Sequence, residues 1–394
     1  MNLDYIVIIL YIFWYIKMSF IQAFGLANIG NTCFFNATIQ GLLSIPDVLE
    51  YLSDPANWKD EYLANTKGIQ IWSLIVELYT LINNIIDNNI RVYIPDDIFK
   101  AIKEHVIFYK GKPELPYRHF NIGTQDDAFD MFNAILDILQ DETKQEDNQV
   151  IIKNPIYQKL HPQYKDYDLS QVDIPYNYEE MIYFNYRFIQ KLYSKEYSPL
   201  TGLFTSFLIN ITECGVHGCG EKSFGLMQTN IYEVELYNTE IEDKHLPHLL
   251  TDYMDNQISD SAYIENHTHR KVTGHIPCYN YHRFWRIPQI LVIRLKRFAI
   301  IDSTRVKLNY PVIIPEILDL KKYIHKFAQN ERCNQKTEYS LIATIQHSGG
   351  CDGGHYYTYG KRKEGWCELN DSSFRVFDTT PNNNNSYFII YKMK

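Results

Sequence analysis

The sequence is poor in cysteine, lacks a long apolar run and carries no excess of positive charge, and each shortage removes a class of protein. Its seven cysteines, at 33, 214, 219, 278, 333, 351 and 367, are scattered over 394 residues. So odd and sparse a set makes no disulfide framework, which points to an intracellular, reducing compartment such as cytoplasm or nucleus. There are 38 Lys and Arg against 47 Asp and Glu, a formal charge of −9. A chain built to grip nucleic acid needs a basic surface for the phosphates, so nucleic acid is not an expected partner. With 15 Pro and 18 Gly the chain is neither low-complexity nor fibrous. The most apolar stretch, Tyr5 to Ile16, has 12 residues and falls short of the ~20 that span a bilayer. It also lacks the basic start and small-residue cleavage site of a signal peptide. Residues 1–24 are read as an apolar leader, with membrane anchoring the less favoured alternative and Met18 a second candidate start.

What is present is a globular composition, 45% hydrophobic and 15% aromatic, in a chain able to bury a large core. Residues 25–140 read as mainly helical. Phe35, Ile39, Leu42 and Leu43 share one helical face, and so do Ala128, Phe132, Ile135, Leu136 and Leu139. The charged stretch DETKQEDNQ, 141–149, is expected to be a loop, and residues 150–200 show no clean period. From about 203 the pattern turns to strands: NIYEVEL, PQILVIRLKRF, YSLIATIQHS, HYYTYGKR and SYFIIYK are short, β-branched or aromatic, and bounded by Gly, Pro or Asn. Helices first and strands later predict an α+β protein.

The sharpest local feature is GLANIGNTCFFNATIQ, Gly25 to Gln40. Cys33 stands where a glycine-containing loop turns into a helix, and partial positive charge at a helix N-terminus favours the thiolate a nucleophile needs. Asn28 lies in the same loop, where an amide can donate to a developing oxyanion. Alone, Cys33 reads equally well as a packed helix residue. A second segment, HSGGCDGGHYYTYGKRKEGWCELNDSS, changes the balance. It brings His355 after a Gly-Gly pair on an incoming strand, and Asn370 and Asp371 shortly after. A cysteine nucleophile needs a base, and the base needs a carboxylate or amide to fix its tautomer. Either Asn370 or Asp371 can fill that last role.

Together the two segments resemble the Cys and His boxes of the ubiquitin-specific protease family of papain-like deubiquitinating cysteine peptidases. Four more stretches agree: TQDDAFDMFNAILDIL, PQILVIRLKRF, KLNYPVIIPEILDL and SYFIIYKMK resemble further family motifs in the same order. The resemblance implies a papain-like α+β catalytic unit over 25–394. Its helical thumb would cover about 25–150, its β-rich fingers lie within about 200–285, and its palm sheet begin near 286. It implies Cys33 as nucleophile, His355 as general base and later acid, Asn28 as oxyanion donor, and Asn370 or Asp371 as the group orienting His355. Asp127, Asp130, Gln125 and Tyr356 match positions that meet the arginine- and glycine-bearing tail of ubiquitin. Asp127 and Asp130 have a simpler reading as well, because acids in a helix's first turn suit its dipole.

No cofactor is required by such chemistry. Many family members hold a structural zinc through two C-x-x-C pairs in the fingers. Here Cys214 and Cys219 are spaced C-x-x-x-x-C around His217, while His267, His269, His275 and Cys278 form no second pair of that form. A metal-free knuckle is therefore preferred over a zinc site at Cys214 and Cys219. The expected partners are ubiquitin and ubiquitinated proteins. An inactive ubiquitin-binding scaffold, or a hydrolase for a ubiquitin-like modifier, are the alternatives; the intact Cys33, His355 and Asn370/Asp371 set argues against the first, and for the second, residues meeting the modifier's tail and body would decide, where Asp127 favours an arginine-bearing tail.

Overall fold

A computed structural model describes residues 20–66, 72–105, 107–109, 112–114, 117–145, 155–166, 178–215, 219, 222–236, 244–255, 257–259, 278–329, 334–351, 353–381 and 385–394. The leader run Tyr5 to Ile16 and His217, His267, His269 and His275 lie outside the described residues. Among the described residues no helix is long and apolar enough to cross a membrane.

The five stretches read as strands all form strands, and four of them build one eight-stranded mixed sheet with the fifth at its edge. In spatial order it runs Ser373–Phe377, Gly365–Asn370, Gly354–Arg362, Glu338–Gly349, Ser386–Met393, Ile290–Lys296 and Ile231–Glu235, with Ile317–Asp319 pairing the far end of Glu338–Gly349. Its residues divide between two cores, by period-2 alternation along Ile290 to Ile293 and Phe388 to Tyr391, and by a register shift between Leu341 and Ala343 in Glu338–Gly349. Ile290, Val292, Ala343, Ile345, Phe388 and Ile390 face the N-terminal helices. Leu291, Ile293, Tyr339, Leu341, Ile389 and Tyr391 face the opposite way, toward the helix Leu246–Asp255. Strands buried on both faces read as near-continuous apolar runs, which is how ILVIRLK and SYFIIYKM appear. A second, four-stranded sheet of Lys222–Thr229, Ser206–Cys214, Cys278–Arg286 and Gln257–Ser259 extends from the first. The helix Tyr178–Glu196 lies against it, with Phe188 and Tyr193 edge-on to Phe207.

Several expectations need correction. The helix Cys33–Leu42 is not amphipathic in its setting: all ten residues are buried, because it is wedged between the large sheet and the other helices. The helix Ala128–Thr143 runs into the stretch expected to be a loop. Its extension is held by Glu142, whose buried carboxylate accepts the N–H groups of Leu74 (3.0 Å) and Ile75 (2.8 Å) and so caps the helix Leu74–Asn88 from across the fold. The unassigned span contains two helices, Pro155–Tyr164 and Tyr178–Glu196. The large sheet also includes Ile231–Glu235, which pairs parallel with Ile290–Lys296.

Candidate active site

Two segments far apart in sequence are bolted together along their length. Thr358 Oγ1 donates to Ala37 O (2.7 Å), and Arg362 donates to Gln40 O (3.0 Å), Gln40 Oε1 (2.6 Å) and Ser44 Oγ (2.6 Å). The strand carrying His355 therefore runs along the helix that begins at Cys33. The packing is close: a Cβ on Gly360 would stand 2.3 Å from Ser44 Oγ, and one on Gly41 would stand 2.8 Å from Ile345 Cδ1, so neighbouring side chains would have to move.

Cys33 is the first residue of its helix, and its sulfur meets the backbone N–H of Tyr356, the residue after His355. Burial pushes the thiol pKa above its ordinary value. The Tyr356 N–H pulls it back, and the Asp371 carboxylate adds to the rise.

His355 Nε2 lies 2.7 Å from Asn370 Oδ1. An amide oxygen can only accept, so Nε2 holds the proton and Nδ1 is left as the basic nitrogen. Asp371, which the sequence left as the alternative orienter, serves another pair. Its Oδ2 accepts from Asn28 Nδ2 (2.9 Å) and its Oδ1 from Asn36 Nδ2 (2.8 Å). Asp371 has φ +48° in the turn after Gly365–Asn370, and this left-handed residue swings the carboxylate toward the cysteine loop. Asn28 Oδ1 in turn accepts from Gly30 N (3.0 Å) and Thr32 N (3.2 Å), folding the loop into the helix start.

Gln125 bonds the segment that carries His355. Its Nε2 donates to Gly354 O (3.1 Å) and its Oε1 accepts from Gly354 N (3.4 Å). In the same loop, Gly123 N donates to Gly30 O and Asn31 Nδ2 donates to Gly123 O, both at 2.8 Å. A groove of about 420 Å³ opens beside Cys33 and is walled by Gln125, Asp127, Asp130, Gly354 and Tyr356. Asp127 is committed to the fold: it caps its helix through Phe129 N (2.7 Å) and accepts from Tyr387 OH (2.6 Å). Asp130 is exposed, and partial desolvation together with the neighbouring Asp127 raises its carboxyl pKa. Tyr356 is mostly buried, its ring packed on His347 (4.5 Å) and Tyr387 (5.8 Å).

The site also draws on residues that sequence reasoning passed over. Arg294 bonds Glu233 (3.1 Å) and Tyr387 (2.8 Å) and lies 3.9 Å from Asp127. Its signal was a charge inside an otherwise apolar strand. Lys307 donates to the carbonyls of His347 and Gly349, both at 2.9 Å, and so holds the glycine-rich loop from below. Asn36, an amide in a wholly buried helix, was the comparable signal on the cysteine side.

At the tip of the four-stranded sheet the register sets Cys278 opposite Cys214. Among the described residues no group of three or more His, Cys, Asp or Glu is arranged to hold a metal ion.

Comparison with known proteins agrees with this architecture. The ubiquitin carboxyl-terminal hydrolase family matches residues 24–391. A probable ubiquitin carboxyl-terminal hydrolase of Acanthamoeba polyphaga mimivirus is 24% identical, over 93% of this chain and 89% of that protein. Ubiquitin carboxyl-terminal hydrolase 24 of Homo sapiens is 22% identical, over 90% of this chain and 12% of that much longer protein. Among solved structures, a SAGA DUB module of Ubp8, Sgf11, Sus1 and Sgf73 bound to monoubiquitin matches with a TM-score of 0.62 at 15% identity, covering 94% of this chain and 69% of that one. The fold is thus the papain-like one of ubiquitin-specific protease catalytic domains.

Proposed function

The chain belongs to the ubiquitin carboxyl-terminal hydrolase family of ubiquitin-specific cysteine peptidases, and from that premise we propose how its own residues cut the bond after ubiquitin's terminal glycine. The observation that carries the reading is the His355 Nε2 to Asn370 Oδ1 contact of 2.7 Å beside the Cys33 helix start. His355 Nδ1 takes the thiol proton of Cys33, and the sulfur adds to the glycine carbonyl. The imidazolium then gives that proton to the leaving lysine amine. Water hydrolyses the resulting thioester with His355 again as base, returning the thiol.

Asn28 has two amide N–H groups, and Asp371 occupies one. The second is left for the oxyanion, held in place at no cost in reorganisation during the reaction. The acids Asp126, Asp127 and Asp130 give one wall of the groove a negative face, and desolvation, then the neighbouring Asp127, raise the Asp130 pKa, so that a cation bound there would be favoured. An arginine-bearing tail supplies it, with Gln125 and Tyr356 flanking the glycines. The nucleophile requires a reduced thiol, which suits an intracellular home, and no cofactor enters any step.

The test is release of a fluorophore from a ubiquitin C-terminal amide by the full chain. Activity in wild type that falls at least about 10³-fold in both Cys33→Ala and His355→Ala supports the proposal. Tight ubiquitin binding without turnover would establish the scaffold alternative instead.

A further inference from the structure

The reaction leaves unused a second cavity, of about 520 Å³, where the four-stranded sheet meets the helix Tyr178–Glu196. Its size falls in the range of ligand pockets, ~300–1,000 Å³. Met181, Ile211 and Ile324 form an apolar base, and Phe224, Tyr281 and Phe327 supply aromatic walls. Lys222, Arg283, His325, Lys326 and Gln329 contribute the charged and polar groups, and no carboxylate is among the lining residues described. Tyr281 lies between two of the cations, with Lys222 Nζ 5.6 Å and the Arg283 guanidinium 5.2 Å from its ring.

The polar groups point to a bound acceptor. His325 is only 8% exposed, and its Nδ1 accepts the Phe327 N–H at 3.4 Å, so the ring proton sits on Nε2. That Nε2–H has no partner among the described residues, although the ring lines the cavity. Burial and the neighbouring Lys326 and Arg283 keep the ring neutral, with its pKa pushed down to about 4. Lys326 is exposed and has no ion-pair partner among the described residues, while its ammonium lies 4.7 Å from the Phe327 ring.

Charge narrows the choice of ligand. Lys222 is paired with Glu213 (2.8 Å) and Arg283 with Asp255 (2.7 Å), so only Lys326 leaves a positive charge in excess. That suits one or two carboxylates and does not suit the tetra-anionic chain of a nucleoside triphosphate. We propose that this cavity binds an acidic linear segment of a partner protein, seating an aromatic or aliphatic side chain among Phe224, Tyr281 and Phe327 while an adjacent Asp or Glu carboxylate meets Lys326, Arg283 and the His325 Nε2–H. The deubiquitinase would thereby hold a second protein at a place distinct from its catalytic groove.

The experiment is fluorescence anisotropy of the full chain with a labelled peptide of alternating glutamate and phenylalanine, beside its lysine-for-glutamate counterpart. Saturable binding of the acidic peptide alone is expected, weakened at least about tenfold by Lys326→Glu and by Phe224→Ala, and unchanged by Lys363→Glu at an exposed position elsewhere. Melting curves that match wild type separate loss of the site from loss of the fold. Absence of binding, or equal weakening by Lys363→Glu, overturns the proposal. ATP binding that Lys326→Glu abolishes and the acidic peptide fails to displace would assign the cavity to a nucleotide instead.

Discussion

The Asp371 carboxylate is shared between two amides of the cysteine segment, accepting from Asn28 at 2.9 Å and from Asn36 at 2.8 Å, while its neighbour Asn370 faces His355. One turn therefore serves both halves of the active site. The strand end orients the base, and the next residue anchors the oxyanion donor to the nucleophile's helix.

Removing that anchor should slow the chemistry without moving His355. Asp371→Ala is expected to lower kcat about 10- to 100-fold with little change in KM, since a freed Asn28 loses part of an oxyanion contact whose full removal costs about 10²–10³. Asp371→Asn gives a separate reading. It removes one of the causes that raise the Cys33 pKa, so the pH profile of Cys33 alkylation in the free enzyme should move to lower pH than in wild type.

Asn370→Ala should leave His355 without its tautomer-fixing acceptor and reduce kcat by roughly 10- to 100-fold. Asn370→Asp, which keeps an acceptor oxygen in the same place, should retain most of the activity. Comparison of kcat for the two variants on a ubiquitin amide substrate checks this. Equal loss in both would show that the contact does not orient the base.

Stability should depend on pH through buried histidines, His325 and His347 above all, with His282 also lowered by burial. Burial pushes both His325 and His347 down to about 4, whereas an unfolded histidine titrates near 6.5. Between those values the unfolded chain binds protons that the folded chain refuses, so stability rises with pH. The contribution is complete above about 6.5 and is lost as pH falls through about 4. The urea midpoint should fall between pH 7 and pH 5, and His325→Gln should flatten that fall.

A methyl group at Gly25 would stand 2.3 Å from Ser372 O, a backbone atom that cannot step aside. Gly25→Ala should cost roughly 1–3 kcal/mol and lower the thermal midpoint by about 2–4 °C for each kcal/mol. Activity should fall in the same variant, because Leu26 N donates to Asp371 O in this contact at 2.8 Å. A Cβ at Gly225 meets nothing within 4 Å, so Gly225→Ala provides the comparison.

Much of this was legible in the chain because its signals are local or ordered. The β-branched and aromatic runs YSLIATIQHS and SYFIIYK mark strands, and the order of Cys33, His355 and Asn370 supplies chemically complete roles. What stayed hidden depends on pairs distant in sequence. Glu142 looks like one more charge in a polar stretch until the Leu74–Asn88 helix places its N-terminus above it. Asn370 and Asp371 are adjacent and chemically similar, and only the left-handed backbone at Asp371 sends their side chains to different partners. Asp127 reads as a tail contact by position, yet its oxygens are already engaged by Phe129 and Tyr387.

The most direct measurement treats the full chain with ubiquitin bearing a C-terminal thiol-reactive group and maps the modified residue by peptide mass spectrometry. The account predicts a single covalent adduct on Cys33, absent in Cys33→Ala and slowed in His355→Ala and Asp371→Ala. An adduct on Cys351, the other groove-lining cysteine, or a wild-type chain that binds ubiquitin and forms none, would contradict it.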